Sequence, residues 1–425
     1  MAIAQAPAPE SSRNERLRLG PLALAALSGI GIAFAVALTL MVGSHAWLFD
    51  SAGHPVVTDF VSFWSAGKLV LNGHALAAYN PHLRHAAEIA AVGHAFPDAW
   101  GWWYPPLFLF VAAALASLPY AAAFNVMNNV TLVLHAATTA AIARRRAAFF
   151  LAAAMPWGMF GMIHGQNQFL TAAVVGIVLL TLETRPAFSG LVLGLLSYKP
   201  QLGVLFPVAL AFGGYWRAFG WACAGTVFWT ALSGAVFGFA TLPAFWHGLS
   251  AVGGEVMVTN PAYLANLQSL YGQLRSLGIG APVSWVAQAG LSATCLVAVA
   301  AVWRRSVPFD LKAAALATAI PLASPYIQGY DLTLLTVALA FLYRHRAFST
   351  REWFATTLAV LSFGFYFWTT AHPAALVACG AVSAMIFARL SFAGGLLEAE
   401  PGREIPDFSP SARSQQDPRP GMATP

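Results

Sequence analysis

An all-α polytopic membrane protein is the fold class this chain predicts, and three observations predict it. Hydrophobic residues make up 58% of the 425 and charged residues only 9%, against roughly 25% charged in a soluble domain. Apolar runs of about twenty residues, long enough as helix to cross a ~30 Å hydrocarbon core, recur along most of the chain. The arginines fall in short clusters between those runs. There they mark the cytoplasmic side of a membrane protein rather than a nucleic-acid surface.

The first run, Pro21 to Val42, follows Arg13, Arg16 and Arg18. It is longer than the hydrophobic part of a secretory signal and lacks a small-residue cleavage pattern after it. It reads as a retained first membrane helix behind a cytoplasmic tail, 1–20. A first outer loop follows at about 44–120. Within it Phe60, Phe63, Trp64, Gly67 and Leu71 share one face at helical spacing, as in an amphipathic helix lying in the interface. The segment 104–119, opened by Tyr104-Pro105-Pro106, must not cross completely, or the Arg144-Arg145-Arg146 triplet moves outside. It is expected as an interfacial or re-entrant helix. Trp100, Trp102 and Trp103 beside it read as an interfacial aromatic belt.

Spans are then expected at 121–143, 147–163, 167–184, 218–240, 281–303, 351–369 and 373–391, with shorter ones at 309–324 and 330–343. Arg185 and Arg217 both stay inside only if 187–214 crosses twice. The break falls at Lys199-Pro200, because the residue before a proline avoids helix. Each half has about thirteen residues and spans ~20 Å at 1.5 Å per residue, which leaves Lys199 recessed below the outer surface. The count comes to about 12 crossings in one domain, 21–392, with a second large outer loop at about 241–280. Both termini are cytoplasmic, and a tail rich in Pro, Ser and charge, 393–425, reads as disordered. Cys223, Cys295 and Cys379 lie in apolar spans and imply no disulfide or metal framework.

This topology collects the polar features on one face. Asp59 precedes the amphipathic helix, where it is either a helix cap complementing the dipole or a general base for an acceptor hydroxyl; the two roles are compatible. Lys199 is a lone lysine at membrane depth that either snorkels to the interface or pairs with an anion, for which a lipid phosphate would serve. His164-Gly165-Gln166-Asn167-Gln168 joins two spans, as a turn satisfying helix ends or as a holder of sugar hydroxyls and phosphate oxygens. Asp331, after Tyr330, reads as a helix N-terminal acid, open to pairing with Lys199 or a substrate hydroxyl. One histidine among amides is poor zinc chemistry, so no metal site is expected. No nucleotide-binding fingerprint or hydrolase elbow is present. A substrate must therefore come from the membrane or the outer side.

These pieces, in this order, resemble glycosyltransferase family 87, the polyprenyl-phosphate-mannose-dependent mannosyltransferase group of the GT-C membrane enzymes. The carriers are Asp59-Phe60 with Trp64 and Gly73…Tyr79, Tyr104-Pro105-Pro106, Gly165-Gln166, Lys199-Pro200 and Ser324-Pro325 with Tyr330-Asp331. One departure stands out. The family places an asparagine two positions after the Gly-Gln pair, whereas Gln168 stands there and Asn167 precedes it. The resemblance implies a GT-C-type fold in the inner membrane with its site facing the periplasm. It implies inverting transfer of a sugar, mannose by default, from a polyprenyl-phosphate donor to a glycolipid or glycan acceptor. Asp59 is then the base, with Lys199, His164, Gln166, Tyr104, Tyr330 and Asp331 around donor and substrate. A monophosphate leaving group needs no cofactor and makes a metal less necessary. The competing reading is a secondary transporter or lipid flippase using Asp59, Lys199 and Asp331 as coupling groups; such proteins often pair their halves, and no repeat is visible here.

Overall fold

The computed structural model describes residues 21–97, 100–251, 261–363 and 373–398. Every regular element among them is helical. Helix α1 (Pro21–Gly43) leads into the first long loop, which carries α2 (Phe60–Leu71), α3 (Pro81–Val92) and α4 (Leu109–Ala116). Next come α5 (Tyr120–Ala143), α6 (Ala147–Ala153), α7 (Pro156–His164), α8 (Gln168–Thr181), α9 (Pro186–Leu195), α10 (Phe206–Phe212) and α11 (Trp216–Phe237). The second loop holds α12 (Thr241–Ala251), α13 (Pro261–Asn266) and α14 (Leu270–Ser276). The described chain closes with α15 (Ala281–Arg304), α16 (Phe309–Ala323), α17 (Leu334–His345), α18 (Thr350–Ser362) and α19 (Ala374–Glu398).

Among the described residues, α5, α11, α15 and residues 374–391 of α19 are each long and apolar enough to cross a membrane. The expected span 147–163 is instead a bent pair, α6 and α7, turning through 53°. The cause is local: Met155 takes an extended conformation (φ −71°, ψ 130°) ahead of Pro156, as a residue before proline prefers. The expected crossings 167–184, 187–214, 309–324 and 330–343 form helices of 15 residues or fewer. The end of 351–369 and the tails 1–20 and 399–425 lie outside the described residues. Within 187–214 the break is at Lys199, whose φ −136° and ψ 66° leave helix ahead of Pro200. A 3₁₀ turn stands on each side of it.

Helix α17 is the hub. Every residue from Leu334 to Leu342 is buried, so this stretch is covered on all sides, with Thr336, its one polar member, accepting from the Trp157 ring N–H at 3.1 Å. It lies against α5, α8, α16 and α19. Helices α16 and α17 are antiparallel, with Arg344 of one paired to Asp310 of the other at one end and residues 324–333 joining them at the other. Arg145 and Tyr343 share the first of these ends, lining one cavity there. Arg389 also binds the Leu342 and Arg346 carbonyls at this end. Arginines therefore gather at the end remote from Ser324 and Asp331.

Two helix crossings depend on the absence of side chains. A Cβ on Gly67 of α2 would fall 2.0 Å from the Ala112 carbonyl oxygen of α4. One on Gly190 of α9 would fall 2.4 Å from the Ala218 carbonyl oxygen of α11, and one on Gly194 2.7 Å from the Gly225 backbone. Between lipid-facing helices, small residues let backbones close up and gain van der Waals contact where apolar burial offers little. Gly194→Leu is thus expected to part α9 from α11 and destabilise by about 1–3 kcal/mol. Gly220→Ala on α11, where a Cβ meets nothing within 4 Å, should be neutral. Thermal unfolding in detergent checks the pair.

Candidate functional site

The site is built on the start of α2. Phe60 is fully buried and meets Tyr120 and Phe124 of α5 edge to face at 5.2 and 5.3 Å, which fixes the backbone at Asp59. Asp59 occupies the cap position but its side chain makes no capping bond. Its Oδ2 instead accepts from Gln166 Nε2 at 2.8 Å. The carboxylate has been taken from the helix and turned to the α7–α8 corner.

That corner requires Gly165. It ends α7 with φ 65°, in the left-handed region, and a Cβ there would lie 2.7 Å from both Phe60 and Phe124. Conformation and space both call for glycine. The corner places Gln166 so that its Oε1 accepts from the Tyr104 hydroxyl at 3.2 Å and the Asn167 N–H at 3.3 Å. Gln166 therefore holds Asp59 rather than standing free.

Asn167, the next residue, holds the cation. Lys199 Nζ donates to Asn167 Oδ1 at 3.2 Å and to Asp331 Oδ1 at 2.6 Å, and lies 5.5 Å from the centre of the Tyr330 ring. Lys199 and Asp331 are 6% and 3% exposed, so the ammonium is neutralised in place and does not snorkel. Asp331 also serves its helix end: Oδ2 accepts from the Gln328 N–H at 3.1 Å, completing a capping box. Both roles open to it coexist. Nothing in the sequence favours Asn167 over Gln168. Packing does: Gln168 is buried against Gly161, where a Cβ would come within 2.3 Å of its amide.

His164 is oriented by its own helix. Its Nδ1 donates to the Phe160 carbonyl at 2.9 Å, and its ring centre is 6.5 Å from that of Tyr330. Asp59, Tyr104, His164, Gln166, Lys199, Tyr330 and Asp331 all line one cavity of about 440 Å³. Trp100, Trp103, Trp246, Tyr263 and Tyr326 face the same space. The expected aromatic belt is thus dispersed: Trp102 is 3% exposed, packed on Phe63 and Tyr104, and its two neighbours are cavity wall.

The first long loop is braced over this cavity by a buried pair in α3. Arg84 donates to the carbonyls of Trp100 and Ala78 at 2.9 and 3.1 Å, and Glu88 accepts the Trp100 N–H at 3.0 Å. Burial pushes the Glu88 carboxyl above its ordinary range, against the Trp100 N–H and Arg84, which hold it down. Asp59 is displaced in the same direction. Burial raises it, while His164 when charged, the Gln166 hydrogen bond and Lys199 pull it back.

Fold and site together define a helical membrane protein with a polar cavity at one end, where a carboxylate and a neutralised lysine are held by adjacent amides. The profile of glycosyltransferase family 87 matches residues 102–325, and the chain belongs to that family. No curated protein and no solved structure matches it. Tyr104, His164, Gln166, Asn167 and Lys199 fall inside the matched stretch; Asp59, Tyr330 and Asp331 fall outside and join it through the contacts above.

The Lys199–Asp331 pair yields a stability test. Removing one member of a buried pair strands the other charge at a cost of about 3–5 kcal/mol, whereas replacing both with apolar residues is often neutral. Lys199→Met should therefore lower the unfolding temperature far more than the Lys199→Met/Asp331→Leu double variant.

Proposed function

We propose that the protein transfers a sugar, by default mannose, from a polyprenyl-phosphate donor to a hydroxyl of a glycolipid or glycan acceptor on the periplasmic side of the inner membrane. The observation that carries this reading is the Gln166-Asn167 pair. Two neighbouring residues fix a carboxylate and an ammonium on the wall of one cavity, the two groups such a transfer needs. The arginine-rich end then faces the cytoplasm with both termini, in a GT-C-type arrangement of about 12 crossings that includes the short helices.

The acceptor hydroxyl attacks the anomeric carbon from the face opposite the phosphate, and Asp59 takes its proton as the new C–O bond forms. The bond from the anomeric carbon to the phosphate oxygen breaks with its electron pair on the phosphate. The products are an inverted glycoside, a protonated Asp59 and a polyprenyl monophosphate. General base catalysis of this kind is worth ~10²–10⁴-fold. Lys199 stabilises the charge that develops on the departing phosphate, within a low-dielectric cavity where such interactions gain strength. Asp331 keeps the ammonium in place, and Tyr104 and Gln166 aim the base. The aromatic wall excludes water and flanks the acceptor. Family membership weighs against a transporter or flippase.

Purified protein in lipid, given radiolabelled polyprenyl-phosphate-mannose and membrane glycolipids, should label a new lipid band. Asp59→Asn is expected to keep the fold and bind donor while losing transfer by about 10²-fold or more. Comparable turnover in that variant would remove Asp59 as the base. Donor crossing between leaflets without chemistry would support the flippase.

The pH dependence follows from the direction of the Asp59 displacement. A base must be ionised to act, and a raised pKa keeps it protonated to higher pH. Activity should therefore fall on the acid side at a pH above the ordinary carboxylate range of about 4. A rate profile whose acid limb lies at or below that range contradicts the assignment.

A further inference from the structure

The donor's phosphodiester is an anion, yet the cavity that receives it is not cationic. Asp59 enters from the start of α2, Lys199 from the α9–α10 break, and Asp331 from the turn before α17. Tyr104, Tyr263 and Tyr330 add only neutral hydroxyls. With His164 uncharged, two carboxylates against one ammonium leave these walls net negative. Lys199 is moreover already neutralised by Asp331 at 2.6 Å.

Among the described residues, His164 is the wall side chain that can gain a proton and with it a positive charge, and its geometry limits how. The Phe160 carbonyl only accepts, so Nδ1 carries a proton in either charge state. In the neutral ring, Nε2 is then a bare lone pair. It makes no hydrogen bond among the described residues, and a lone pair facing a phosphate oxygen repels it. Only the imidazolium offers the donor an N–H. Of the adjacent amides, Gln166 gives an N–H to Asp59, while Asn167, whose Nδ2 has no partner among the described residues, is fully buried and does not line the cavity.

We propose that His164 is a donor-binding residue that takes up a proton as the phosphate enters, so that donor binding is proton-coupled and Nε2–H becomes a second phosphate ligand beside Lys199. This rests on the glycosyltransferase reading of the cavity. The bound imidazolium also adds a positive neighbour to Asp59, which favours its ionised form. Loading the donor thus readies the base. Chemistry afterwards balances: the acceptor proton goes to Asp59, and the His164 proton is positioned to leave with the polyprenyl monophosphate, a stronger base than the diester it replaces.

The experiment is calorimetry of citronellyl methyl phosphate binding to the full-length protein in detergent, in buffers of differing ionisation enthalpy. This diester keeps a single charge near neutrality, so the ligand contributes no proton of its own, and it carries no sugar whose identity matters. Wild type should take up about one proton per ligand bound, with affinity falling as pH rises. His164→Gln, which keeps a polar side chain, should bind about tenfold more weakly and take up none. Binding without proton uptake in wild type overturns the proposal, as does equal uptake in His164→Gln. Failure of wild type to bind the diester at all overturns the phosphate-site reading itself, and so is told apart from failure of the proton coupling.

Discussion

The adjacency of Gln166 and Asn167 is the constraint on which the rest of the site depends. Side chains on successive residues diverge, and here one amide reaches the Asp59 carboxylate and the next reaches the Lys199 ammonium. The separation of carboxylate and ammonium is therefore set by one peptide unit at a helix corner, not by the sum of several loops. Everything that fixes the corner fixes the spacing of these two groups. Gly165 permits the turn, Phe60 and Phe124 crowd it, and Tyr104 holds the outer oxygen of Gln166. Such preorganisation matters because misplacement by about 1 Å can cost 10²-fold in rate.

The same logic explains the helix breaks. A continuous helix through Lys199 or Met155 would satisfy its backbone internally, the cheapest course in a membrane. Proline ends both at the residue before it. The cost is tolerated because the broken backbone lies beside a cavity or packed protein. At Lys199 the break delivers an ammonium into the protein interior, against Asn167 and Asp331.

Much of this was legible in the chain. The break at Lys199-Pro200, the long α5 and the clustering of arginines away from the polar loops follow from proline chemistry, periodicity and charge placement. The helix after Asp59 is where periodicity put it, but Phe60–Phe63 and Ser65–Gly67 are buried and Leu71 is exposed, so it is not an interfacial helix with one apolar face. Three things were not. The bend at Pro156 hides inside a run apolar enough to read as one span. The fate of the Asp59 carboxylate depends on a partner 107 residues away, and a cap motif looks the same whether or not the side chain caps. The choice of Asn167 over Gln168 is decided by which side chain Gly161 admits, a packing fact that residue type does not encode. The aromatic run 100–103 misleads for the same reason: composition suits a belt, while the Arg84–Glu88 brace folds it inward.

The buried Lys199–Asp331 pair has its own logic. A buried ion pair is weak evidence for stability, since desolvation offsets much of the attraction and apolar replacements are often as stable. Its retention at a cavity wall makes sense if the lysine must be ready for an anion that comes and goes. Without Asp331 the buried ammonium would be left without its carboxylate partner, a cost of several kcal/mol. With Asp331 the charge is kept, but half spent, which, for the reaction proposed above, lowers the affinity for a donor phosphate and equally for the phosphate product. A transferase needs both, because a cavity that gripped the departing monophosphate with an unshared lysine would be slow to release it. On the proposal above, a second cation that arrives with the donor and can leave with the product resolves the conflict between capture and release, and that cation is His164.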